Sequence, residues 1–100
     1  MICGTTPTHV FVLPFDVDLI KSIRIIYAQA GEVVMTKENE DLQLEGNSVR
    51  YKLTQEETLA FDDSKRVEIQ VRVLTVDGDA LASDIYSVFA ERCLERSVIE

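Results

Sequence analysis

The chain has 100 residues, the size of one domain, with 46% apolar residues, no Trp, two Pro and four Gly, so neither a low-complexity nor a disordered chain is expected. Its 18 acidic and 10 basic residues leave a net charge of −8, which argues against nucleic acid, where a basic patch must neutralise phosphate, and against anionic membranes. The acidity reads as solubility, or as a surface for a basic partner. No run approaches the roughly 18 apolar residues of a membrane span. The opening MICGTTPTHVF lacks the basic start and apolar core of a signal peptide, so synthesis in a cytoplasm is expected. Cys3 and Cys93 do not make a disulfide framework; a bridge between neighbouring edge strands is geometrically possible, but free thiols are expected in a reducing compartment.

The first predicted strand is Thr8 to Leu13, with His9, Phe11 and Leu13 on one face and Val10 and Val12 on the other. Pro14 ends it. Phe15 to Lys21 reads as a loop with a helical turn over Val17 to Ile20, and Asp16 and Asp18 as its capping pair. Ser22 to Gln29 is a second strand, apolar on both faces and so central. Gly31 turns the chain into a third strand, Glu32 to Lys37, in which Val33 and Met35 oppose Val34 and Thr36. Glu38 to Asp41 is a polar connector.

A hairpin follows. With Gly46-Asn47 as its loop, Leu44 faces Val49 and Leu42 faces Tyr51, so these and Leu53 share one face while Gln43, Glu45, Arg50 and Lys52 take the other. Thr54-Gln55-Glu56-Glu57 has the spacing of a capping box, predicting a helical turn over Gln55 to Leu59. Asp62 to Lys65 is a solvated loop.

The last and most informative segment is Arg66 to Phe89. Val67, Ile69, Val71 and Val73 alternate with Glu68, Gln70 and Arg72, and Asp77-Gly78 is a hairpin signal for a type I′ turn, whose two central residues need positive φ. A two-residue loop pairs Val73 with Ala82, Val71 with Asp84, Ile69 with Tyr86 and Val67 with Val88, placing Asp84 among apolar side chains. A one-residue bulge would instead bring Ser83, Ile85, Ser87 and Phe89 onto the valine face. Both registers remain open at this level. Arg92 to Glu100 is expected to fray.

Seven short strands with no long helix predict an all-β fold: a single antiparallel immunoglobulin-like β-sandwich over 1–100, with 1–7 and 92–100 flexible. An OB-like barrel is the alternative, but it favours fewer, longer strands and a helix.

Chemistry is sparse. His9 is the sole histidine and reads as structural. Asp77, Asp79 and Asp84 have a D-x-D spacing, but the glycine and terminal glutamate of a calcium loop are missing, so turn chemistry explains them. The four glycines stand singly, leaving no phosphate loop. Tyr27, Tyr51 and Tyr86 read as core or rim rather than as a sugar platform. No catalytic, cofactor-binding or metal-binding residue is predicted.

The whole chain resembles the small immunoglobulin-like proteins encoded in structural-gene regions of phages and prophages of Gram-positive bacteria. The stretches that carry the likeness are Thr6 to Asp16, Ile23 to Val34, Leu53 to Glu57 and Ile69 to Ile85. More distantly it is similar to the N-terminal domain of phage baseplate upper proteins, where an L-T-like turn precedes a strand, then a D-G hairpin, a Ser and a final strand. Those proteins carry further domains that these residues do not include. The resemblance implies a non-enzymatic module for virion, tail or baseplate assembly, made in the bacterial host cytoplasm. Its partners would be other virion proteins or itself, with no cofactor, nucleic acid, membrane or small-molecule substrate. The alternative is a carbohydrate-binding or adhesion module.

Overall fold

The computed structural model describes residues 1–100 and is an all-β sandwich of two antiparallel sheets. Eight strands are present: β1 (Thr8–Val12), β2 (Ile20–Gln29), β3 (Glu32–Glu38), β4 (Gln43–Glu45), β5 (Ser48–Lys52), β6 (Arg66–Thr75), β7 (Ala80–Ala82) and β8 (Tyr86–Phe89). The eighth arises because the second arm of the final hairpin breaks into two. One sheet has the order β1-β5-β4; the other has β3-β2-β6 and then β7 and β8, which share the far edge of β6.

The core lies between the sheets. From β2 it takes Ile23, Ile25 and Tyr27, and from β6 Val67, Ile69, Val71 and Val73; Val49, Leu53 and Phe61 meet them from the other side. These are the alternating positions of the sequence, and β2 is central as its two apolar faces require. The β4–β5 hairpin pairs Leu44 with Val49 as expected, with the positive φ on Gly46 alone. Helix α1 (Gln55–Leu59) opens on the expected capping box. The Thr54 hydroxyl accepts from the Glu57 N–H at 3.1 Å, and the Glu57 carboxylate accepts from the Thr54 N–H at 2.9 Å. A short 3-10 turn covers Val17–Leu19, capped by Asp16, which accepts from the Asp18 N–H at 2.9 Å.

Two local expectations are corrected. First, Asp77-Gly78 does not form a type I′ turn, because only Gly78 has positive φ. The Gly78 N–H donates to Thr75 O at 3.0 Å and the Thr75 N–H to Asp79 O at 2.9 Å. This is a three-residue loop in which a glycine in the left-handed region makes a bulge. The extra residue pairs Val73 with Leu81 rather than Ala82. The strand then breaks at Ser83–Ile85. The Ser83 hydroxyl accepts from the Val71 N–H at 3.0 Å, and beyond it Ile69 pairs with Tyr86 and Val67 with Val88. The register is thus shifted near the turn and restored after the break, which decides between the two open registers residue by residue and leaves Asp84 exposed.

Second, the type I′ pattern falls at Ala30-Gly31, with φ of 51° and 80°. Just after it a bulge shifts the β2–β3 register, so that Ala28 pairs with Val33 but Tyr27 with Met35. The simple alternation of β3 is broken: Val33 is exposed, Val34 and Met35 are both half-buried, and Lys37 turns to the inner face opposite Ile25.

Both ends of the chain make contacts with the sandwich. Ile2 runs parallel to Glu91, the Cys3 N–H donates to Glu91 O at 3.0 Å, and Cys3 is fully buried. Residues 92–100 form no helix or strand, but Arg96 donates to Leu59 O at 2.7 Å and the Ile99 N–H donates to Gln55 Oε1 at 2.8 Å.

Candidate functional site

Two places collect the residues that could act: a polar cluster between the sheets, and an apolar mouth at one side of the sandwich.

The cluster is built by β1, β2, β3, β5 and α1. His9 and Tyr51 are directly opposed across β1 and β5, and both face inward. The His9 ring stacks on Tyr27 with centroids 5.7 Å apart, and its Nδ1 lies 2.8 Å from the Tyr27 hydroxyl. The Tyr51 hydroxyl donates to the Glu57 carboxylate, 2.7 Å from each oxygen. Lys37 closes the set: its ammonium pairs with Glu57 and lies 5.3 Å from the centre of the Tyr51 ring. The capping box of α1 aims Glu57, and the β3 bulge aims Lys37.

The electrostatics follow from burial and pairing. The hydrogen bond to Glu57 raises the Lys37 ammonium above its ordinary value. Burial pushes Glu57 up, but Lys37, the Tyr51 hydroxyl and the Thr54 N–H together hold it below the usual carboxylate value. Burial raises both Tyr27 and Tyr51 and lowers His9. Here Lys37 and Glu57 are driven further into their charged forms and the two phenols further into their neutral forms. The arrangement clamps β3 of one sheet to β5 and α1 on the other side.

The mouth lies where β1, an edge of the small sheet, passes over the broken β7–β8 edge of the large one. Its open groove, of about 350 Å³, is lined chiefly by Phe11, Leu13, Phe15, Val73, Leu81 and Tyr86, with Asp84 at the rim. Phe11 and Tyr86 meet with ring centroids 5.7 Å apart. Val12 on its lining, and Val10 and Ile85, each next in the chain to a lining residue, are at least half exposed.

The residues singled out in the sequence are thereby placed. Tyr27 is buried, Tyr51 is tied to Glu57, and of the three tyrosines only Tyr86 is exposed. Asp77 and Asp79 are exposed at the turn, and Asp84 stands apart from them on the groove rim. Cys3 and Cys93 are free thiols. No three His, Cys, Asp or Glu side chains converge to hold a metal. No helix is long and apolar enough to cross a membrane. Sequence reasoning found Glu57 through its capping box but missed Lys37, whose inward turn depends on a bulge with no glycine or proline to announce it. A comparison with family models, curated proteins and solved structures finds no match to this chain.

Proposed function

We propose that the chain is a non-enzymatic structural module of phage origin that, in a virion, tail or baseplate, docks on another component or on a copy of itself by adding a strand at β1. The observation that carries this reading is the contrast among the sheet edges. An exposed edge presents unpaired N–H and C=O groups, and proteins usually guard it with charges, bulges or brevity. β3 has a bulge, an inward lysine and glutamates at both ends. β4 is three residues long and ends on Glu45. The β7–β8 edge is interrupted at Ser83–Ile85, and Met1–Cys3 cover its far end. β1, with the sequence THVFV, carries none of these devices and lies beside the apolar groove. An added strand would pair its backbone with β1 and place alternate side chains in the groove, the usual logic of strand addition.

The phage assignment rests on the resemblance of the sequence stretches. A carbohydrate-binding role has only Tyr86 as an open tyrosine platform and finds less support. The test is mass spectrometry of purified particles from cells that encode the chain. The protein should be a stoichiometric particle component, and a Val10→Pro substitution should reduce its incorporation. Its absence from the particles refutes the virion role.

A further inference from the structure

We propose that the occupant of the β1 edge is β1 of a second copy, paired antiparallel about a two-fold axis at Val10, so that two three-stranded sheets become one of six strands. This rests on the reading above that β1 is the docking edge, and it names what docks there.

The backbone parity is self-complementary. The Leu53 N–H donates to Pro7 O at 2.9 Å and the Leu13 N–H to Asn47 O at 2.7 Å, in the same register that pairs His9 with Tyr51 and Phe11 with Val49. Hydrogen-bonded and non-bonded residues alternate along an antiparallel strand. The odd residues therefore spend their groups on β5, and Thr8, Val10 and Val12 present theirs to the free side. Two such edges meet with Val10 opposite Val10 of the second copy and each Thr8 opposite a Val12. Every free N–H then finds a C=O, giving about six hydrogen bonds.

The side chains agree with this register. Val10 and Val12 are 51% and 72% exposed on the outer face, and with Thr8 they form β-branched pairs across the axis. On the inner face His9 stands opposite Phe11 of the second copy. Charge singles out the same place. In a chain of net charge −8, most surfaces repel a copy of themselves, but Thr8–Val12 contains no Asp, Glu, Lys or Arg. The nearest cations, Arg50 and Lys52, lie one strand back, opposite Val10 and Thr8. Three strand spacings would separate them from those of the other copy, about 14 Å, beyond the ~8 Å screening length.

Strand pairing of five residues falls short of the roughly 1,200 Å² that a stable interface covers. The groove beside β1 would supply more: Leu81 and Tyr86, which line it, are 45% and 49% exposed, and Asp84 is the one charged side chain among its lining residues. Pro14 lacks an N–H and ends the pairing. The two-fold uses up the edge, so assembly closes at a dimer.

The wild-type chain should have twice its 11.3 kDa mass by light scattering on size exclusion. Val10→Pro, and independently Val10→Lys, should halve that mass while leaving the far-UV circular dichroism unchanged, because the Val10 N–H makes no bond within the chain. In a Cys93→Ser background, Val10→Cys should cross-link to itself on mild oxidation. The opposed Cα atoms would be about 5.5 Å apart, within disulfide reach. Val12→Cys, opposite Thr8, should not cross-link. A monomeric wild type, or cross-linking through Val12→Cys instead of Val10→Cys, overturns the proposal. If the wild type is monomeric yet Val10→Pro still lowers incorporation into particles, the edge docks a different protein and only the second copy is refuted. If the dimer forms but particles lack the chain, only the virion role is refuted.

Discussion

Replacing Lys37 by Met and Glu57 by Gln, singly and together, measures what the ion pair between the sheets contributes. Their side chains are 21% and 15% exposed. A solvent-exposed pair contributes about 0–1 kcal/mol, and breaking a fully buried one costs about 3–5 kcal/mol. A pair mostly but not wholly shielded falls between, so a coupling energy of about 1–2 kcal/mol is expected. Lys37→Met leaves the Glu57 carboxylate with the Tyr51 hydroxyl and the Thr54 N–H, which limits the loss. For a domain of this size each kcal/mol moves Tm by roughly 4–8 °C, so the single variant should melt about 5–15 °C lower. Urea unfolding followed by circular dichroism is the assay, because the chain has no Trp. Glu57 is held below its ordinary value of 4.5, so the coupling is fully present above that pH and is lost as pH falls through the lower folded value. A double-mutant coupling under about 0.5 kcal/mol, or one abolished by ~1 M salt, would show an ordinary surface pair and refute the clamp.

Three further outcomes are expected. Gln29 is buried and bonds both the N–H and the C=O of Asp62 at 2.8 Å, so Gln29→Leu should destabilise by about 1–2 kcal/mol; a loss under about 0.5 kcal/mol means water replaces both bonds. Ala30 has a φ of 51°, a region that suits glycine, so Ala30→Gly should stabilise by about 0.5–1 kcal/mol in the same urea assay, and a destabilised variant contradicts the turn type. Burial lowers His9 from 6.5, so the unfolded chain binds its proton first: stability is complete above pH 6.5 and declines as pH falls from there towards the lower folded value. Unfolding midpoints between pH 7.5 and 5.5 should show this slope, and His9→Gln should remove it; an unchanged slope assigns it to other groups.

Much of the fold was legible because period-two alternation records burial directly. β2, β5 and β6 each bury one alternating set against a continuous core, so hydrophobicity alone marks their inner faces. The capping box of Thr54 and Glu57 was equally legible, since its two bonds span three residues and depend on nothing distant. The candidate site was far less legible. Its polar half needs Lys37 to reach Glu57 across the sandwich, and its apolar half needs β1 to lie over β7 and β8, which are remote in sequence.

The residues by themselves determined an all-β chain, its central strands, where its turns fall and a first strand that stops at Pro14. These follow from local preferences and from the two-residue period of a strand. Tertiary structure decided the register. The Asp77-Gly78 loop gained a residue, the strand after it broke at Ser83, and a bulge after Ala30-Gly31 turned Lys37 inward. One inserted residue reverses every side chain beyond it, and whether a strand keeps it depends on what the opposite sheet can bury. The same packing left β1 open beside the groove, because only the assembled sandwich determines which edges remain unguarded.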